Sequence, residues 1–206
     1  MAYVPPRRVL ILGIGNVLWA DEGFGPRCIE TLAARYAFPD HVKLLDGGTQ
    51  GLYLLPFLED ADDLLIFDAV DYGLEPGTVK TLRDDDVPAF LGAKKMSLHQ
   101  TGFQDVLATA DLKGCRPERI TLIGCQPAEL EDYGGGLRPV VSERIGTVID
   151  LAIAELAAWG VDAQAGQSNG ADLADPSIRR DAYEAGRPSA RTACRIGDDR
   201  FFPGAD

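Results

Sequence analysis

The sequence predicts an α/β domain of three layers, α/β/α, on a mostly parallel, twisted sheet with one antiparallel edge strand. Three observations predict it. Short apolar runs rich in β-formers, at residues 9–12, 64–67 and 120–123, suit strands buried on both faces of a parallel sheet. Segments with apolar residues at helical spacing alternate with those runs. The runs end in clusters of Gly, Asp and Asn, residues that turn a chain.

In order, residues 9–12 (VLIL) form the first strand. Gly13 and Gly15 bracket the turn that must follow, and Asn16 tolerates such turns. Pro26 suits the opening of a helix, so Asp21 and Glu22 fall in a loop between a buried strand and a helix N-terminus. In open α/β sheets ligands bind there, beyond the carboxyl ends of the strands. Residues 27–36 are the helix, with Cys28, Ile29, Leu32 and Tyr36 at helical spacing. A second strand over 42–45 runs into the turn-rich Asp46, Gly47, Gly48 and Thr49, and 52–58 is a short apolar helix.

Residues 64–67 (LLIF) are the third buried strand, with Asp68 at its end, and 78–82 alternates as an antiparallel edge strand would. Three acids at 84–86 before Val87 predict a short helix with charge in its first turn. SLHQT, residues 97–101, reads as a loop carrying His99, with Thr101 capping a helix over 102–109. Residues 120–123 are the last core strand. Gly134, Gly135 and Gly136 form a loop, Pro139 opens a final long helix and Gly160 ends it. These elements make one domain, 1–160. Residues 161–206 are rich in Asp, Arg, Ala and Gly without apolar periodicity, the composition of a disordered tail or one held by a partner.

The chain has 206 residues, enough for one sizeable core. Its formal net charge of −12 argues against nucleic acid, because phosphate backbones are bound by summed Lys and Arg contacts. No run reaches the roughly 18 apolar residues of a membrane span, and no apolar signal core precedes the first strand. The expectation is a cytoplasmic protein without membrane or nucleic-acid partners. The four cysteines, Cys28, Cys115, Cys125 and Cys194, form no CxxC pair and no metal-ligand spacing, so they read as buried small hydrophobes or idle thiols.

Three site chemistries match parts of this sequence to different degrees. Gly13-Ile14-Gly15 opens like a dinucleotide fingerprint, but Leu18 stands where the third glycine belongs, and two acids follow where phosphates would sit. A hydrolase triad lacks a GxSxG elbow, and the chain has only two histidines, His41 and His99. Metal binding fits better. Glu22 follows the first strand, Asp68 ends the third, and His99 lies in a loop long enough to reach them. Two carboxylates and one imidazole suit borderline divalent ions such as nickel and zinc, and three protein ligands leave positions open. Each residue also has an ordinary reading: Glu22 as a solvated loop acid, Asp68 as a helix cap, His99 as a surface histidine.

GIGNVLWADEGFG, LDGGTQG, IFDAVD and SLHQTG, in this order, resemble the hydrogenase maturation endopeptidases. The similarity covers roughly residues 8–160, and the rhythm with ERITLIGCQP and GGGLRPVV is closest to the branch serving uptake hydrogenases. The resemblance implies a twisted sheet between helices and an aspartyl-type endopeptidase. That enzyme removes the C-terminal extension of a nickel–iron hydrogenase large-subunit precursor. It further implies that Glu22, Asp68 and His99 bind nickel, which the substrate carries and the enzyme holds only transiently. Asp46, Gly47, Gly48 and Thr49 match a family feature implicated in function, placed here at the substrate. The resemblance also implies a monomer. The tail after Val161 is longer than the family leads one to expect.

Two other functions share features with this chain. A peptidyl-tRNA hydrolase has a similar opening strand and turn, but would carry a histidine soon after it and a basic face. No histidine precedes His41 here. A chaperone that binds the nickel-loaded precursor without cutting it would use the same three ligands.

Overall fold

The computed structural model describes residues 5–88, 98–168 and 179–186, with the side chains of 98–101 outside that description. Strand β1, Val9–Ile14, is buried at every position. It lies between two parallel neighbours, β3 (Val42–Gly48) and β4 (Asp63–Ala69). Parallel β6, Arg119–Cys125, follows β4, and antiparallel β5, Val79–Arg83, closes that edge. The order β3-β1-β4-β6-β5 bears out the mostly parallel sheet and its antiparallel edge strand.

Alternation along the strands sorts the core into two layers. Val9 and Ile11 of β1, with Leu65 and Phe67 of β4, face helices α1 (Phe24–Arg35) and α5 (Ile145–Ala158). Leu10, Leu12, Leu64 and Ile66 face the opposite layer of α2 (Leu55–Glu59) and α3 (Leu98–Lys113). Three layers are therefore present, as expected.

Several boundaries differ from expectation. Asp21 and Glu22 sit on a 3-10 turn, Ala20–Gly23, rather than in an open loop, and α1 starts two residues before Pro26. Tyr36 leaves the helix with extended backbone and joins Ala37 in β2. SLHQT is not a loop throughout: α3 begins at Leu98, so His99 is its second residue and Thr101 lies inside the first turn rather than capping it. The helix opened by Pro139 stops at Ser142 as α4, and α5 restarts at Ile145. Residues 86–88 are helical, and the rest of the helix expected there lies outside the described residues.

The polar segment after Val161 is not wholly apart from the domain. β7, Gln164–Ala165, pairs antiparallel with β2. Ser168 donates its N–H to Ala33 O (2.9 Å) and its hydroxyl to Tyr36 O (2.6 Å). Helix α6, Arg180–Gly186, lies on α1: the Arg180 N–H reaches Glu30 Oε1 at 3.1 Å, and the Tyr183 ring lies under the Arg27 guanidinium. Residues 169–178 and 187–206, with Phe201 and Phe202, lie outside the described residues. No helix among the described residues is long and apolar enough to cross a membrane.

Candidate functional site

The sheet reverses its winding at β1 and β4. From β1 the chain crosses to β3 on one side, returns to β4 on the other, and continues outward to β6. A crevice opens outside the carboxyl ends of β1 and β4 at such a switch point. Glu22 follows β1 and Asp68 lies near the end of β4, so both candidate ligands border this crevice.

Close backbone approach builds its floor. A Cβ on Gly25 would lie 2.2 Å from Ile14 O and 2.4 Å from Phe67 O, so only glycine lets α1 start over the gap between the two strands. Gly15 has φ +136°, and a Cβ there would fall 1.8 Å from Glu22 O. The Asn16 N–H donates to that carbonyl at 3.1 Å, and the Glu22 N–H donates to Trp19 O at 2.9 Å. The turn bearing Glu22 is thus folded back on the strand end, with its side chain half-buried.

Asp21, beside it, does a different job. It is fully buried, and its Oδ2 accepts the N–H groups of Ala128 and Glu129, both at 2.9 Å, while Oδ1 accepts that of Arg138 at 2.7 Å. One carboxylate therefore clamps the loop after β6 against the turn that carries Glu22. Trp19 and Tyr133, edge to face at 5.2 Å, join the same two segments at the surface.

Asp68 is 3% exposed. It continues the face of Leu64 and Ile66, so it is directed toward the α3 layer. It pairs in register with Gly124 of β6, above which the Tyr72 hydroxyl is seated: a Cβ on Gly124 would lie 2.1 Å from that oxygen. Burial, with the nearby Asp68 and Cys125, raises the Tyr72 phenol well above its ordinary value, so it stays protonated. Gln126 fixes this loop. Its Oε1 accepts the Tyr72 N–H at 2.7 Å and the Leu74 N–H at 3.1 Å, and its amide nitrogen donates to Asp71 Oδ1 at 3.0 Å. The sequence reading missed Tyr72 and Gln126. Only the closeness of Tyr72 to the IFD strand end hinted at either.

His99 enters through α3. Gly102, one turn later, lies against Gly51, which follows the DGGT segment, so the first turn of α3 stands at the same carboxyl edge. Among the described residues no three His, Cys, Asp or Glu side chains group to hold a metal, and the His99 imidazole is not among those described.

The DGGT residues divide. Gly13 opposite Asp46 and Ile14 opposite Gly48 mark a bulge at Gly47. Asp46 therefore continues the face of Val42 and Leu44 toward α1, away from Asp68. Burial raises its carboxyl above the usual range, the Gly48 N–H (3.0 Å) and Arg27 opposing this only in part. Gly48 (φ +48°) turns the chain, and Thr49 follows it at the edge. Cys28 and Cys125 are both buried. Burial pushes Cys125 up to about 12 and Cys28 well above its ordinary value, so neither supplies a thiolate near neutral pH.

Comparison with known proteins gives one consistent family. The model of the hydrogenase maturation protease family matches residues 26–155, a span that includes Asp68 and His99. The hydrogenase expression/formation protein HupD of Rhodobacter capsulatus is 68% identical over 200 residues, covering 97% of this chain and 95% of that protein. The hydrogenase 2 maturation protease of Escherichia coli is 43% identical over 157 residues, covering 76% of this chain and 94% of its own length. The solved structure of the hydrogenase maturating endopeptidase HybD from E. coli superposes with a TM-score of 0.73 at 42% identity, covering 77% of this chain and 97% of that one.

Proposed function

Because the chain belongs to the hydrogenase maturation protease family and is a peptide-bond hydrolase, we propose that it removes the C-terminal extension from a nickel-loaded large-subunit precursor of an uptake-type nickel–iron hydrogenase. One observation carries this reading. The turn of Glu22 packs on β4, whose end carries Asp68, and α3, whose second residue is His99, begins against Gly51 at the same carboxyl edge of the sheet.

In this reading nickel arrives as part of the substrate and is released with it. Glu22 and Asp68 offer carboxylate oxygens and His99 an imidazole nitrogen, a donor set matched to a borderline divalent ion. The absence of thiolates from the set keeps that grip weak enough to break after cleavage. The carboxylates also serve as proton acceptors for an attacking water, while a metal at the scissile carbonyl withdraws electron density from it. Tyr72 stays protonated near Asp68. The enzyme acts as a cytoplasmic monomer.

The test is intact-mass analysis of nickel-loaded and nickel-free precursor, each incubated with the protein. Loss of a C-terminal peptide from the loaded form alone is the expected result. Equal cleavage of both forms removes nickel as the signal, and stable binding without any change of mass makes the protein a chaperone. Glu22→Gln should abolish processing, and normal processing by that variant removes Glu22 from the scheme.

A further inference from the structure

The parallel strands give the two edges of the sheet different surfaces. At the amino edge the exposed groups are ion-paired: Arg7 with Asp63 and Glu118, Arg8 with Asp62 and Asp60. At the carboxyl edge every parallel strand is followed by a connection with an exposed large apolar side chain. Leu18 (37% exposed) follows β1, Leu52 and Tyr53 (55% and 83%) follow β3, Leu74 (44%) follows β4 and Tyr133 (59%) follows β6. Among the described residues only two other large apolar side chains are comparably exposed, Leu112 at the end of α3 and Leu151 on α5. Single exposed apolar residues need no explanation, but a ring of them around one crevice does.

We propose that this ring is the docking surface for the precursor, and that its occupant is an apolar stretch of the precursor's C-terminal segment on either side of the bond to be cut. The proposal rests on the reading given above. Continuity with the crevice identifies the occupant. Leu18, Leu52, Tyr53, Leu74 and Tyr133 all sit on connections that leave the carboxyl edge where Glu22 and Asp68 lie, so a peptide brought to those carboxylates crosses these connections. The backbone beneath the ring is fixed: the Leu18 N–H is held by Asn16 Oδ1 at 3.0 Å, and the Leu74 N–H by Gln126. Docking therefore requires little ordering of the enzyme.

The test uses the full chain and nickel-loaded precursor, with affinity measured by calorimetry and processing by intact mass. The double variant Leu52→Ser/Tyr53→Ser and the single variant Leu74→Ser should each weaken binding and raise KM by tenfold or more, with kcat within twofold of the parent. Leu112→Ser, equally exposed but off the ring, should change neither. Ring variants that bind and process like the parent overturn the proposal and leave the protease reading intact. A parent chain that binds precursor through the ring but never cuts it overturns the protease reading and leaves the docking surface standing. Truncation after Gly186 should leave affinity unchanged. Binding that tightens tenfold on truncation assigns the ring to the chain's own Phe201 and Phe202 and overturns the proposal.

Discussion

Asp21→Ala tests how the site is held together. The carboxylate is fully buried and accepts three backbone N–H groups, from Ala128, Glu129 and Arg138. Hydrogen bonds to a charged group contribute about 1.5–3 kcal/mol each, and stranding a buried donor costs about 1–3 kcal/mol. The upper values would sum to most of the 5–15 kcal/mol that holds a typical protein folded. The loop from 128 to 138 lies near the surface and can swing its freed N–H groups to water, so the lower value applies to each. The expected loss for Asp21→Ala is therefore about 4.5 kcal/mol, or roughly 9–18 °C in Tm for a protein of this size.

Asp21→Asn separates the acceptors. Its single oxygen can keep the Ala128 and Glu129 pair, but its amide then faces the Arg138 N–H, donor against donor. The expected loss is about 1–2 kcal/mol. Urea unfolding at neutral pH should rank the parent above Asn and Asn above Ala. Below the melting transition, both variants should also process precursor more slowly, because the clamped loop backs the turn that carries Glu22. An Ala variant within about 0.5 kcal/mol of the parent, or an Asn variant worse than Ala, would refute the clamp.

Four other outcomes follow from the same geometry. Gly124→Ala puts a Cβ where the Tyr72 hydroxyl sits, 2.1 Å away, and should cost about 1–3 kcal/mol by overpacking while processing falls further than Tm alone explains. Asp46→Asn can keep the turn to the Gly48 N–H while removing a carboxyl whose protonated form the fold favours. A raised acid loses stability as pH climbs past its unfolded value, so this variant should match or exceed the parent in Tm at pH 7. Acid unfolding carries the opposite sign. Burial raises Asp63, but Arg119 and Arg7 more than offset it and hold it low, as Arg8 holds Asp62 and Arg83 holds Glu155. Their contribution is full above the ordinary carboxylate range near pH 4 and is lost below it, so the urea midpoint should stay flat from pH 7 to 5 and drop by pH 3, less steeply in Arg119→Met. Truncation after Ser168 removes Tyr183 from Arg27 and Arg180 from Glu30, and should raise KM for precursor more than it lowers Tm, read by steady-state processing and thermal melts.

The sheet was legible because buried parallel strands leave an unbroken apolar run, as at Val9 and Leu64, and β5 betrays its edge position by alternation. The start of α3 was not legible. Ser97 and Thr101 are equally good caps by residue type, and the choice of Thr101 put His99 in a loop. The break between α4 and α5 is weakly marked: no Gly or Pro stands at Glu143 or Arg144, and Gly146 comes only once α5 has begun. The tail misled for a different reason. Its ties to the domain at residues 164–168 are main-chain bonds and one hydroxyl, which leave no hydrophobic trace in the composition.

The candidate site shows the same limit in sharper form. Residue type and order made Glu22 and Asp68 candidates but left each an ordinary reading, and the resemblance to the family singled them out. They could not separate Asp21 from Glu22, adjacent acids with opposite fates, one spent on three backbone donors and the other at the crevice. Nor could they separate Asp46 from Asp68. Both end parallel strands at the same edge, yet the register at Gly47 sends Asp46 toward α1 and Arg27, while Asp68 faces the layer of α3. Asp46 lies on the side of the sheet that faces α1, near Arg27, which pairs with Glu30 and stacks on Tyr183 of the tail helix. Asp68 and Tyr72 lie on the opposite face of the sheet, in the layer of α3.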